Sequence, residues 1–189
     1  MKGEGRAEYA PIVMVHAHDV DTVWSTLIDV YADVREAQLD NPHYSVERYA
    51  ERLARHGREP GWEAVLAYAG AQPVGYGYAN TLTADDRWWR RADPRPPIQI
   101  TSVPTLAVKE MMVLEPYRRR GIAQQIHDEL LTSRDEEAVS LMVSPANQDG
   151  RVQALYARWG YRVIGVSQPS PDSAQLTVML RGMQAPEAS

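Results

Sequence analysis

Cysteine and phenylalanine are both missing from this 189-residue chain. Without cysteine there is no disulfide scaffold, no thiol nucleophile and no thiolate metal site. That absence agrees with a reducing compartment. Without phenylalanine, the aromatic part of the core must come from the 5 tryptophans and 10 tyrosines. No apolar run approaches the ~18 residues of a membrane span, and Met1 to Arg6 lack the apolar stretch of a secretory signal. A cytoplasmic location and no membrane partner are therefore expected. A basic excess is missing too: the net charge is −5, so nucleic acid is not an expected partner. There is no internal repeat, no low-complexity tract and no linker.

The 44% hydrophobic and 24% charged residues suit one domain with a sizeable core. Ile12 to Val15 reads as a strand. Val23, Leu27, Val30, Tyr31 and Val34 recur at helical spacing, with Asp19 or Asp21 placed to cap that helix. Asn41-Pro42 breaks it, and Ser45 opens a second helix with Tyr49 and Leu53 facing inward. Residues 62–68 and 73–79 form a hairpin pattern around a glycine-containing turn. Residues 84–98 are polar, rich in Arg and Pro, and carry Trp88-Trp89; they read as a long inserted loop. A strand at 105–114, a helix from Arg119 to Ser133, a strand at 139–143, a helix at 150–159 closed by Gly160, and strands at 161–166 and 176–180 follow. The order is β-α-α-β-β-β-α-β-α-β-β: one mixed α/β domain over 9–183, with tails at 1–8 and 184–189.

The most informative segment runs from Met111 to Gln124. It reads as a buried strand entering a basic, glycine-containing turn that opens a helix. Such a turn aims free N–H groups and the positive helix end at one place, a site for phosphate or pyrophosphate. Gly121 can adopt positive φ and has no side chain to hold a ligand away. The N–H groups of Arg119, Arg120, Gly121, Ile122, Ala123 and Gln124 can then surround the anion, Arg118 to Arg120 add charge, and Ala123 stays small. A Walker loop is excluded because no Lys-Ser or Lys-Thr follows a glycine. A dinucleotide fingerprint is excluded because Gly75-Tyr76-Gly77 lacks the third glycine.

The run Val113-Leu114-Glu115-Pro116-Tyr117-Arg118-Arg119-Arg120-Gly121-Ile122-Ala123 resembles the acyl-CoA-binding signature of the GNAT family of N-acetyltransferases, Q/R-x-x-G-x-G/A. A second element, Ala154-Leu155-Tyr156-Ala157-Arg158-Trp159-Gly160-Tyr161, is similar to that family's L-Y-x-x-x-G-F/Y. The element order matches over residues 10–182. The resemblance implies a mixed α/β (α+β) fold, with a mostly antiparallel sheet flanked by helices, and acetyl-CoA as cosubstrate without a metal. It implies that a backbone N–H within Met111, Met112 or Val113 polarises the thioester carbonyl, on a strand splayed from its neighbour. It places Tyr156 near the thioester sulfur as general acid. Either Asn147 or Asp149 takes the position of the residue that hydrogen-bonds the CoA arm: the usual spacing gives Asp149, and two inserted residues give Asn147.

Acyl transfer to an amine also needs proton removal, because a free alkylamine is charged at neutral pH. Glu110 is the candidate general base: a carboxylate on an apolar strand is costly to bury without purpose or partner. Strand alternation puts it on the face of Met112 and opposite Met111 and Val113, unless a bulge intervenes. The alternatives are a salt bridge with an arginine, and deprotonation through water. By family analogy the acceptor lies near residues 27–45, 82–98 and 166–175, where Tyr31, Arg35, Glu36, Asp40, Trp62, Trp88 and Trp89 are candidates. The tryptophan pair suits stacking on a cation or, by a small margin, anchoring of its loop. His16 and His18, followed by Asp19, resemble half a metal site but lack a third ligand at metal spacing, and read as surface or structural residues. His127 reads as packing or capping. The expected activity is direct acetyl transfer to a primary amine of a small molecule, with a homodimer compatible. The alternatives are a protein lysine or N-terminus as acceptor, or a non-catalytic acyl-CoA-binding domain.

Overall fold

The computed structural model describes residues 10–132, 134–170 and 173–183. The tails expected at 1–8 and 184–189, and the helix end expected at Ser133, lie outside the described residues.

Eight strands form one continuous sheet. They are β1 (Ile12–Ala17), β2 (Glu63–Ala69), β3 (Gln72–Leu82), β4 (Ala92–Asp93), β5 (Thr105–Val113), β6 (Ala138–Val143), β7 (Arg162–Ser167) and β8 (Leu176–Gly182), in the spatial order β1-β2-β3-β5-β6-β8-β7-β4. Every described pairing is antiparallel except β5 with β6. Two helices, α1 (Trp24–Arg35) and α2 (Val46–His56), cover one face. On the other lie α5 (Ile122–Leu131) and α6 (Arg151–Arg158). Two short helical segments, α3 (Arg87–Arg90) and α4 (Ile98–Thr101), flank β4.

Local signals account for most boundaries. Ser45 caps α2, its hydroxyl accepting from the Arg48 N–H, and Tyr49 and Leu53 are fully buried as the helical period requires. Asp19 caps a short 3₁₀ turn, and α1 itself starts later, at Trp24, without a side-chain cap. The expected helix from Arg119 begins instead at Ile122, because Arg119 (φ 61°) and Gly121 (φ 78°) are left-handed. Ile122, Ile126 and Leu130 then share the buried face. Gly77 lets this helix lie against β3: a Cβ there would sit 2.9 Å from Ile126 Cγ2.

The segment expected as a loop at 84–98 is partly ordered. Its β4 pairs with β7, Ala92 opposite Ser167 and Asp93 opposite Val166, and forms one edge of the sheet. Trp89 is completely buried with Leu82, Ala107 and Leu180. The Trp88 indole N–H donates to Ser140 Oγ at 3.0 Å. The tryptophans thus fasten the insertion to the sheet.

One irregularity positions the site. Tyr78 pairs with Glu110 and Ala79 with Val108, so Lys109 is an extra residue in β5. Such a bulge bends the strand and raises its twist. The pairing of β5 with β6 covers only Thr105 to Val108 against Ala138 to Leu141, whereas β6 continues alongside β8 to Val143. Beyond the bulge β5 leans away from β6, and a gap opens between them.

Candidate active site

The gap is lined on one side by the end of β5. The Leu114 N–H donates to the Val74 carbonyl at 2.9 Å, toward β3. Backbone alternation then turns the Met112 groups toward β3 as well, and those of Met111 and Val113 toward the gap. Two of the three expected residues therefore offer backbone groups there. The Val113 carbonyl is already occupied, because Arg118 Nε donates to it at 2.9 Å. This bond ties the basic turn back to the strand it follows. Met112 instead contributes a buried side chain beneath α1 and α2.

The turn opens onto α5 with no side chain capping the helix. Arg119 and Gly121 are both left-handed there, a backbone geometry found in anion-binding turns. Around the position of a Gly121 Cβ only the Gln125 side-chain amide comes within 4 Å, at 3.9 Å. Arg119, Arg120, Gly121 and Gln124 are exposed, Arg118 and Ala123 half-buried, and Ile122 is a core residue. The Arg120 guanidinium lies over the Tyr117 ring.

Tyr156, on α6, is buried against Trp159 and Tyr161, its ring meeting theirs edge-on at 5.3 and 5.8 Å. Its hydroxyl makes no hydrogen bond among the described residues. Burial, reinforced by the charge of Glu110, pushes its phenol up to about 12. Tyr156 therefore stays protonated and able to donate at neutral pH. Asn147 and Asp149 are exposed in the short helical turn before α6. Gln148, Asp149 and Gly150 there are all left-handed, a local strain of the sort concentrated at binding loops.

Glu110 projects from the opposite face of β5. Without the bulge it would share the side of Leu106 and Val108, which pack toward α5; with it, Glu110 meets α2. Its Oε2 accepts from Arg52 Nη2 at 3.0 Å, so the expected carboxylate has an arginine partner. Arg52 also lies over the Tyr49 ring, 5.2 Å from its centroid. Around the pair stand buried phenols: Tyr49 stacks on Tyr31 at 3.9 Å and is hydrogen-bonded to Tyr76. Tyr78 is bonded to His56, whose imidazole burial pushes down to about 2. Burial raises all four of these phenols, so they are neutral.

The pairing of β5 with β6 ends at a bulge, the strand leads into a left-handed turn without a side-chain cap, and a protonated tyrosine stands on the next helix. A model of the acetyltransferase (GNAT) family matches residues 26–161. The chain belongs to the GNAT family.

Solved GNAT-like folds resemble it at low identity. An acetyltransferase from Thermus thermophilus is 16% identical, with 93% of this chain and 99% of that chain covered at a TM-score of 0.63. Arabidopsis thaliana NAA60 in complex with acetyl-CoA is 15% identical, with 92% and 99% covered at a TM-score of 0.63. The PaiA N-acetyltransferase from Thermoplasma acidophilum in complex with coenzyme A is 11% identical, with 90% and 99% covered at 0.57. No curated protein matches the chain. In this GNAT chain the residue that sequence reasoning missed is Arg52. It lies 58 positions from Glu110, and nothing in its own helix distinguishes it from Arg48 or Arg55.

Trp62 and Trp89, candidates for the acceptor side, are interior. His16 bridges Glu63 on β2 and Glu129 on α5, at 2.6 and 3.2 Å. Among the described residues no group of three His, Cys, Asp or Glu is arranged to hold a metal, and no helix is long and apolar enough to cross a membrane.

Proposed function

We propose that this chain is an acetyl-CoA-dependent N-acyltransferase acting on a primary amine of a small molecule by direct transfer. The observation that carries the reading is the separation of β5 from β6 beyond Val108, beside the uncapped turn at Gly121. The turn, with Arg118, Arg119 and Arg120, holds the pyrophosphate of acetyl-CoA. The Met111 and Val113 backbone receives the CoA arm and polarises the thioester carbonyl, and Asn147 or Asp149 borders the same arm.

Glu110, directly or through a water, removes a proton from the acceptor ammonium. The amine nitrogen attacks the thioester carbon, an N–C bond forms, and the C–S bond breaks. As the C–S bond breaks, Tyr156 donates its proton to the sulfur. The proton shed by the acylated nitrogen passes to solvent, from which Tyr156 is reprotonated. Amide and free thiol are the products, without an acyl-enzyme.

The Trp88 ring of the insertion lies against Lys109, the neighbour of Glu110, which supports a small acceptor over a broad protein surface. Native mass spectrometry with acetyl-CoA should give a one-to-one complex, and thiol release should follow addition of an amine from a panel. Absence of the complex would refute the assignment. Binding without release from any amine would leave only an acyl-CoA-binding domain.

A further inference from the structure

Resting on the acyltransfer reading, a second question is what the acceptor carries besides its amine. Arg52 and Glu110 are only partly spent on each other. One guanidinium nitrogen meets one carboxylate oxygen. The other polar neighbours of the guanidinium, the Tyr31 and Tyr78 hydroxyls, are neutral, so Glu110 is the one carboxylate paired with it among the described residues. No other hydrogen bond of the described residues uses Glu110 Oε1. Neither side chain is sealed from solvent: they are 29% and 15% exposed. Glu110 sits on the part of β5 that has left β6 and Arg52 reaches it from α2, so the pair borders the gap.

The surrounding charge is unbalanced. The buried Tyr31 phenol lies within the fields of Arg52, Glu110 and Arg35. Arg35 donates to Gln38 and stacks over Tyr44, and its buried Nε has no partner. The neighbouring Lys109 is matched by Glu59 at 3.3 Å and lies over Trp88. Two arginines and one carboxylate therefore act on that phenol, in a chain whose net charge is −5. An acceptor bearing only an ammonium would enter a site with a surplus of its own sign. An acceptor bearing an ammonium beside a carboxylate presents both signs a few ångströms apart, matching the spacing of the Glu110 and Arg52 groups.

We propose that Arg52 is a specificity-determining residue that binds the carboxylate of a free α-amino acid while Glu110 receives its ammonium. The acceptor class is thereby the zwitterionic α-amino acid, and not a peptide N-terminus or a simple alkylamine.

The test is thiol release from acetyl-CoA with the standard α-amino acids, each beside its amide and its decarboxylated amine. Free amino acids should be used with a kcat/KM about tenfold to a hundredfold above both analogues, the size of a charge-assisted hydrogen bond. Arg52→Gln should abolish that preference chiefly through KM, and Arg52→Lys should restore part of it. Retained acetyl-CoA binding in both variants reports an intact fold. Equal or better use of amides or decarboxylated amines overturns the proposal, as does release with such amines and none with any amino acid. Failure of every amine would instead sink the acyltransferase assignment itself.

Discussion

The His127 imidazole and the Tyr161 hydroxyl, both buried, are hydrogen-bonded at 2.7 Å and join α5 to the chain just after α6. One helix starts at the Gly121 turn, and the other carries Tyr156. His127 also packs against Trp159, and Tyr161 against Tyr156. The two helices are thus tied together by one polar contact inside an apolar cluster.

Tyr161→Phe should therefore lower stability and activity together. It leaves a buried ring nitrogen unpaired, at a cost of about 1–3 kcal/mol. The measurement is the unfolding midpoint beside kcat and KM for acetyl-CoA. An unchanged midpoint would show that the bond contributes nothing.

Tyr156→Phe should behave differently. Its hydroxyl has no partner among the described residues, so stability and acetyl-CoA affinity should barely change. Turnover should fall by about a hundredfold or more, the scale of general acid catalysis. Because the wild-type phenol is pushed up to about 12, its ionisation should not limit the rate anywhere near neutral pH. Full turnover in the Phe variant would remove Tyr156 from the mechanism.

Gly121 allows strain and blocking to be separated. Gly121→Val should weaken acetyl-CoA binding, but at φ 78° a β-branched residue is itself strained. Asparagine tolerates that conformation better. Gly121→Asn should keep most of the thermal stability yet still bind acetyl-CoA poorly, because its side chain enters the open space over the turn. Isothermal titration read beside thermal unfolding decides; tight binding by both variants would argue against an anion at this turn.

The contact of His16 with two carboxylates gives a pH dependence of known sign. Its hydrogen bond to Glu63 raises its value above the usual 6.5, assisted by Glu129 and opposed by burial. A raised folded-state value adds stability that is fully present below 6.5 and fades as pH rises through the folded value. His16→Gln should thus be less stable than the wild type at about pH 5.5, with the gap closing by about pH 9. A gap that widens toward alkaline pH would contradict the ion pair. His56 and His127, both pushed down chiefly by burial, work the other way: their neutral forms favour the fold above 6.5, and that stability declines as pH falls below it.

Much of the fold was legible locally. Tyr49 and Leu53, or Ile122, Ile126 and Leu130, recur at the helical period, and that period alone says which side chains go inside. The chemistry of the Arg118 to Ala123 turn was equally local, because glycine and a helix N-terminus act within a few residues. The insertion was legible only as an interruption. Its pairing with β7 depends on Ser167 and Val166, far downstream and unrelated to it in pattern.

The sequence by itself determined the strand–turn–helix that would hold an anion and the order of elements around it, since both follow from short-range periodicity and backbone sterics. Only the tertiary structure decided what Glu110 does. One extra residue at Lys109 reverses the faces of everything after it, and so turns Glu110 from α5 to α2. There it meets an arginine brought close by packing alone. Register and partners are properties of two strands and a helix together, and no single stretch of sequence contains them.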